Sequence, residues 1–368
     1  MTPVTDSVPA DTSGQAEDSP KVDLDIGGAV RLNYFWQDYN QVRQDRGGDF
    51  GFELFRLDVD GDYDDIDLSV QYRWYAPFEA VHHAYFGLKL APDLNLHLGI
   101  SQVPFGILPY ASHSFWFGAT YYMGYEDDYD MGLKLLWSGG PWEVQAAFYK
   151  NAEYIDASRT ARYSFDLVTS DEQANQEINQ FNLRAAREVR LAPWLIARIG
   201  ASAQYGQIYN NITTRKGNHR AVAVHADFVA GTWNLQLQGI NYRYRPENPP
   251  GVDPSTVQMA AFLFPFLMAG EGAVATVNLA KDFVVGHRLL ETIKCYADLS
   301  KVFPRGPNVH TSTQAVTGCL LVKGGLYTYV DVITGQNMWF SGGPGIGLDR
   351  PESDEWNSRL NVNFGFYF

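Results

Sequence analysis

Apolar and polar residues alternate with a period of two from Val22 to the last residue. In the first segment Val22, Leu24, Ile26, Val30, Leu32, Tyr34 and Trp36 share one face, while Asp23, Asp25, Arg31 and Asn33 share the other. A second segment sets Phe55, Leu57, Val59 and Tyr63 against Arg56, Asp58, Asp60 and Asp62, and a third sets Ile66, Leu68, Val70, Tyr72 and Trp74 against Asp67, Ser69, Gln71 and Arg73. Side chains alternate across a β-strand, so each segment predicts a strand with one apolar and one polar face. Thirteen more follow, at about 83–91, 93–101, 128–137, 141–151, 178–189, 194–208, 219–231, 232–245, 270–283, 286–301, 312–323, 325–335 and 355–368. The pattern predicts 16 strands. In the last, Leu360, Val362, Phe364, Phe366 and Phe368 alternate with Arg359, Asn361, Asn363, Gly365 and Tyr367.

The links between strands fall into two classes. From the second strand on, every second link is short: DYDD, APDLN, SGGP, RLAP, AGT, KDFVVGH and KGG. The others are mostly long, at 37–51, 102–127, 152–177, 209–218, 246–269, 302–311 and 336–354, with 76–82 the exception. Short turns on one rim and long loops on the other predict an all-β, transmembrane, antiparallel β-barrel, and an even strand number returns both termini to the short-turn rim. Segments of about ten residues suffice to cross a bilayer when tilted. Tyr34 and Trp36, Trp74 and Tyr75, Trp142, Trp194, Trp233 and Trp356 cluster near strand ends, as interfacial girdles require. A soluble β-sandwich or solenoid is the alternative, but it has no need of alternating loop lengths.

Composition narrows the reading. The 368 residues include 22 Tyr, 22 Phe, 9 Trp and 34 Gly, a mix suited to strands and turns. With 28 Lys+Arg against 42 Asp+Glu the formal charge is −14, which disfavours nucleic acid as a partner. No run reaches the roughly 18 apolar residues of a spanning helix; the richest, MAAFLFPFLMAG from Met259, is broken by Pro265. Residues 1–20 read as a flexible, polar and acidic tail, and 21–368 as a single barrel domain. No secretory leader is visible, and Met1 suits either an added start on a mature exported chain or a cytosolic start. Cys295 and Cys319 lie on successive strands, but their apparent faces disagree, so the pattern leaves a bond between them open.

The chain ends NFGFYF, which resembles the C-terminal strand of Gram-negative outer-membrane proteins that assembly machinery recognises. The stretch HLGISQVPFGILPYASHSFWF, with Gly99, Pro104, Phe105 and Gly106, resembles the phosphate-selective porin O and P family, where a strand runs through a Pro-Phe-Gly segment into a loop folded into the pore. That resemblance implies a Gram-negative outer-membrane porin. It also implies a homotrimer of 16-stranded barrels with an inward-folded third extracellular loop, set in outer-membrane lipid and lipopolysaccharide. Phosphate selectivity does not carry over, because residues 102–127 contain neither Arg nor Lys.

Arg31, Arg56, Arg73, Lys134, Arg184, Arg198 and Arg359 fall on the polar face. Facing lipid at mid-membrane, each would cost about 2–4 kcal/mol, so they are expected in the lumen. There they either set selectivity or pair with Asp58, Asp60, Asp62 and Asp67 to hold the wall. The third long loop carries Tyr110, His113, Trp116, Tyr121 and Tyr122 among nine rings, more than a hydrated loop holds. Folded inward they narrow the lumen, and most anchor the loop to the wall. Glu126, Asp127 and Asp128 in GYEDDYD are expected to form an acidic rim at the constriction. Clustered carboxylates suit Ca²⁺, but the twelve-residue calcium-loop spacing is missing, and neither metal nor cofactor is expected. Phe262, Phe264, Phe266 and Leu267 are expected over the barrel mouth or at a subunit interface.

No catalytic constellation emerges: Ser112, His113 and Ser114 are neighbours in sequence, which defines no triad. His82 and His83 are adjacent on a predicted strand, which points them to opposite faces. The expected function is passive diffusion of small hydrophilic solutes or ions through an outer-membrane channel. A substrate-specific channel for sugars or for organic or inorganic anions is the first alternative. A secreted β-rich carbohydrate-binding protein is the second.

Overall fold

The computed structural model describes residues 23–349 and 355–368; the expected tail at 1–20 lies outside them. Twenty strands occur in chain order: β1 (Asp23–Gln37), β2 (Asp49–Tyr63), β3 (Ile66–Tyr75), β4 (Glu79–Ala91), β5 (Leu94–Gln102), β6 (Tyr129–Gly139), β7 (Trp142–Ala152), β8 (Asp166–Leu167), β9 (Asn175–Ala192), β10 (Leu195–Asn210), β11 (Lys216–Ala230), β12 (Trp233–Arg245), β13 (Thr256–Ala261), β14 (Phe264–Ala269), β15 (Glu271–His287), β16 (Leu290–Pro304), β17 (Ser312–Lys323), β18 (Leu326–Gln336), β19 (Gly345–Ile346) and β20 (Trp356–Tyr367). Sixteen of them close an antiparallel barrel, β20 pairing with β1 through Ala29 opposite Tyr367 to Gln37 opposite Arg359. This is the predicted fold. No helix of the described residues is long and apolar enough to cross a membrane.

Every link on the short-turn rim spans two residues between strand ends, with Gly231 (φ 60°) and Gly324 (φ 54°) supplying left-handed backbone in two of them. The outward face is apolar around the girth: Ile26 is 64% exposed, Phe181 56%, Val224 66% and Phe366 54%. Exposed apolar surface on that scale marks a surface made to face something other than water. Trp74, Trp142, Trp194, Trp233 and Trp356 are all exposed near strand ends, where aromatic girdles sit.

Two local readings need correcting. Cys295 and Cys319 stand directly opposite each other in the β16–β17 register and are bonded. Directly opposed antiparallel residues share a face, so no bulge is needed. Inward positions of these strands are Tyr296, Asp298, Ser300 and Val316, and exposed Thr317, which made the faces seem to disagree, is an outward residue. His82 and His83 also depart from expectation. The β3–β4 register runs from Gln71 opposite His83 to Tyr72 opposite Val81, so His82 is a bulged extra residue. The bulge turns both rings to the inner side, with their Nδ1 atoms 2.9 Å apart.

The barrel is not hollow. The 103–128 loop crosses its interior, and the 153–174, 246–270 and 337–355 links contribute a second, four-stranded sheet in the order β19-β14-β13-β8. Phe266 of β14 stacks on Trp339 at 5.0 Å, and Met259, Met268, Phe165 and Ile346 are buried beneath. Loop residues Phe105, Tyr122, Met123 and Tyr125 join the inner-wall residues Tyr149, Ile208, Tyr242 and Tyr244 in the same core. Phe262, Phe264 and Phe266 therefore belong to an internal cap, although Phe264 remains 56% exposed at its edge.

Candidate functional site: an arginine and aromatic chamber beside the constriction loop

The 103–128 loop leaves β5 through Gly99 and Gly106, and both glycines are required where they stand. Gly99 has φ 136°, and a Cβ on it would lie 2.3 Å from the Ala84 carbonyl oxygen. Gly106 has φ 64°, and a Cβ there would lie 2.2 Å from Gln238 Oε1. Left-handed backbone and close approach of another chain are the conditions only glycine meets cheaply.

From there the loop is tied to wall after wall. The Gly106 amide donates to Ser202 Oγ (3.0 Å), the Ile107 amide to Gln238 Oε1 (2.8 Å) and the Ala119 amide to Ser300 Oγ (2.8 Å). In return Asn278 Nδ2 donates to the Ala111 carbonyl (2.5 Å) and Gln314 Nε2 to that of Phe117 (2.8 Å). Polar inward residues of β10, β12, β15, β16 and β17 thus satisfy the backbone of a loop shielded from water. Asp298 makes the strongest of these ties. It accepts from the His113 amide (2.7 Å), the Ser114 amide (3.0 Å), Ser112 Oγ (3.1 Å) and His113 Nδ1 (2.9 Å). This is a clamp rather than a nucleophile triad. A triad serine bonds the imidazole, whereas Ser112 Oγ bonds the carboxylate and His113 Nε2 is occupied by Asn234 Oδ1 (2.6 Å).

The loop and cap fill the lumen on one side. Against the wall of β1–β4, β18 and β20 they leave a chamber of about 1230 Å³. It runs from Gln37, Tyr39 and Arg43 at the long-loop end down to Arg31, Arg56, Tyr329 and Tyr367. Five arginines line it (Arg31, Arg43, Arg56, Arg73 and Arg359), against two carboxylates, Glu53 and Asp127. Arg31 pairs with Glu53 (2.9 Å), Arg56 with Asp58 (2.7 Å) and Arg43 with Asp49 (3.2 Å). Arg73 and Arg359 have no carboxylate within ion-pair distance among the described residues. Arg73 donates instead to Gln71 Oε1 (2.7 Å) and Tyr75 OH (3.3 Å), and Arg359 to Asn361 Oδ1 (3.3 Å).

Aromatic faces hold these cations in place. Arg73 lies 4.4 Å over Tyr163, Arg31 5.0 Å over Phe115, and Arg359 is sandwiched between Trp116 (4.3 Å) and Phe35 (4.6 Å). A guanidinium over a ring face keeps its charge and its N–H edge available, because the π-cloud takes up only one face. Asp127 turns toward the chamber but is engaged by the Tyr129 hydroxyl (3.1 Å) and by that of Tyr163.

The anticipated residues separate into four groups. Arg31, Arg56, Arg73, Arg359, Tyr110, His113, Trp116, Tyr121, Tyr122 and Asp127 line the chamber together. Lys134 and Arg184 are inward but serve as loop anchors, donating to the carbonyls of Gln102 (2.9 Å) and Gly106 (2.7 Å). Arg198 lies near the short-turn rim, half exposed and 3.8 Å from Glu143. Glu126 and Asp128 do not form the expected rim, being buried within and behind the loop. Thr120 donates to Glu126 at 2.5 Å, and burial outweighs that bond and pushes the Glu126 carboxyl up to about 8.

Several chamber residues escaped the sequence reading. Phe35 carried a signal, since an aromatic ring between Asn33 and Gln37 stands on the polar face of its strand. Tyr163, Trp339 and Phe340 come from links whose fold has no periodicity to betray it.

No family model matches the chain, and no curated protein matches it. Solved structures do. Salmonella typhi OmpF in complex with daunomycin is 12% identical, with a TM-score of 0.60 over 94% of this chain and 97% of that one. OmpT of Vibrio cholerae is 15% identical, at 0.58 over 94% and 98%. An anion-selective porin from Comamonas acidovorans is 12% identical, at 0.58 over 95% and 100%. With its closed sixteen-stranded barrel and apolar girth, the chain has the fold of the outer-membrane porins.

Proposed function

We propose that this protein is a passive outer-membrane channel of a Gram-negative bacterium, working as a homotrimer in lipid and lipopolysaccharide, and that its chamber favours small anions. The observation that carries the preference is the pair Arg73 and Arg359, two guanidiniums facing the chamber with no carboxylate partner among the described residues. An unpaired cation in a narrow, partly dehydrated passage attracts anions and repels cations, the interaction strengthening as the local dielectric falls. The rings beside them, Phe35, Trp116 and Tyr163, give an apolar flank to solutes that join a carboxylate or phosphate to a flat or aliphatic body.

No chemical step is assigned to the protein; the Ser112–His113–Asp298 group is spent on holding a loop. A secreted carbohydrate-binding protein fits less well, because its girth would not leave Phe181 and Val224 more than half exposed. The channel reading is tested by swelling of liposomes containing the protein. Small carboxylates are expected to enter faster than neutral sugars of equal size, and amines more slowly. Equal rates for all three would remove the arginine-based preference, and no swelling would remove the channel.

A further inference from the structure

Behind the constriction loop, away from the chamber, three carboxylates converge. Asp128 immediately precedes β6, Asp130 is the second residue of β6, and Asp166 opens β8 in the 153–174 link. One oxygen from each lies within 4.8 Å of the others, and the residues are 6%, 2% and 2% exposed. Asp128 Oδ1, Asp130 Oδ1 and Asp166 Oδ2 accept no hydrogen bond. A buried, unsatisfied carboxylate oxygen is costly, and three carboxylates brought this close together are more so. The other Asp130 oxygen accepts from Gln180 Nε2 at 3.1 Å.

The single nearby guanidinium does not resolve the charge. Arg162 Nη2 is 3.1 Å from Asp166 Oδ2, but it is hydrogen-bonded to Glu153. A separate cavity of about 360 Å³ is lined by Arg162, Leu167 and Glu177, neighbours of the cluster.

We infer that Asp128, Asp130 and Asp166 form a divalent-cation site of the calcium class that ties the constriction loop to the cap. Ca²⁺ takes oxygen ligands at about 2.3–2.6 Å, so two oxygens on one ion stand no more than about 5 Å apart, a limit this trio meets. Mg²⁺ suits the place less, because it gives up its water reluctantly and demands a near-octahedral shell. The ion supplies the positive charge that Arg162 divides between Glu153 and Asp166. It also joins the base of the 103–128 loop to β8, whose Leu167 pairs with Met259 of β13. The site concerns the rigidity of the loop and holds whichever solute passes.

The test uses full-length protein in detergent, freed of metal with a chelator, and terbium ion as a luminescent probe excited through the protein's tyrosines. One Tb³⁺ is expected per chain, displaced by CaCl₂ far more readily than by MgCl₂. Asp166→Asn should weaken binding by more than about tenfold, judging from what altered ligand shells cost metal sites. Asp253→Asn, at an exposed position of the 246–270 link, should leave binding unchanged. CaCl₂ should also raise the temperature at which the folded barrel converts to its unfolded gel mobility, since a ligand of the folded state alone stabilises it. Absence of displaceable Tb³⁺ in folded wild-type protein would overturn the site, as would wild-type affinity in Asp166→Asn. If that variant does not fold, the wild-type comparison with and without CaCl₂ decides, and an unchanged transition counts against the site.

Discussion

Asp298 accepts four hydrogen bonds from three consecutive residues, Ser112, His113 and Ser114. Replacing it with alanine orphans the His113 amide and the His113 Nδ1, while the Ser114 amide keeps Ser112 Oγ at 3.2 Å, at roughly 1–3 kcal/mol for each buried donor left unpaired. Asp298→Ala is therefore expected to leave the barrel folded but free the middle of the constriction loop. Single-channel recordings should show larger and noisier conductance, and protease should cut within 103–128. Quiet, unchanged recordings would mean that the other ties suffice. At this scale the sequence was informative about direction and poor about partners. Alternation assigns Arg31, Arg56, Arg73 and Arg359 to the polar face, and all four line the chamber, because direction is a property of one strand. It could not show that Arg184 would be consumed by the Gly106 carbonyl, which lies 78 residues away, nor that a bulge would bring His82 and His83 to one side.

Between residue and barrel stands the cap, the small sheet β19-β14-β13-β8 assembled from three separate links. Its packing centres on Trp339, which stacks on Phe266 and also meets Phe264, Tyr122 and Phe165. Trp339→Ala removes a ring that meets both cap and constriction loop, and because that ring is only partly buried the cost is expected below the roughly 3–5 kcal/mol of a fully buried tryptophan. The expected result is a selectively loosened cap, with faster amide exchange over β13 and β14 and little change over the barrel strands. Uniform protection in the variant would mean that the cap does not depend on this contact. None of this sheet was legible beforehand. Two of its strands are two residues long and its partners are distant, so neither period nor turn signals mark them. Only the apolar run from Met259 hinted that the 246–270 link is covered rather than solvated.

For the whole molecule, the strand number, the two-rim division of links and the closure of the last strand on the first all followed from the sequence. Each rests on a repeating local pattern that the lipid boundary enforces along the entire chain. The Cys295–Cys319 bond lies on the outward face, away from chamber and cap, and closes a separation of 24 residues. On a chain-entropy account such a link contributes about 3 kcal/mol. Cys295→Ser should therefore lower the denaturant midpoint without altering conductance or ion preference. A changed conductance would show that the bonded strands shape the passage.

The central claim is that solutes pass between the constriction loop and an arginine wall whose Arg73 and Arg359 have no carboxylate within ion-pair distance among the described residues. The most direct measurement is the reversal potential of single channels in planar bilayers under a KCl gradient, for wild type and for Arg73→Gln combined with Arg359→Gln. The account predicts stable ohmic steps and a chloride-favouring potential in the wild type, shifted toward or past neutrality in the double variant. A potassium-favouring wild type, or a potential that ignores both substitutions, would contradict it.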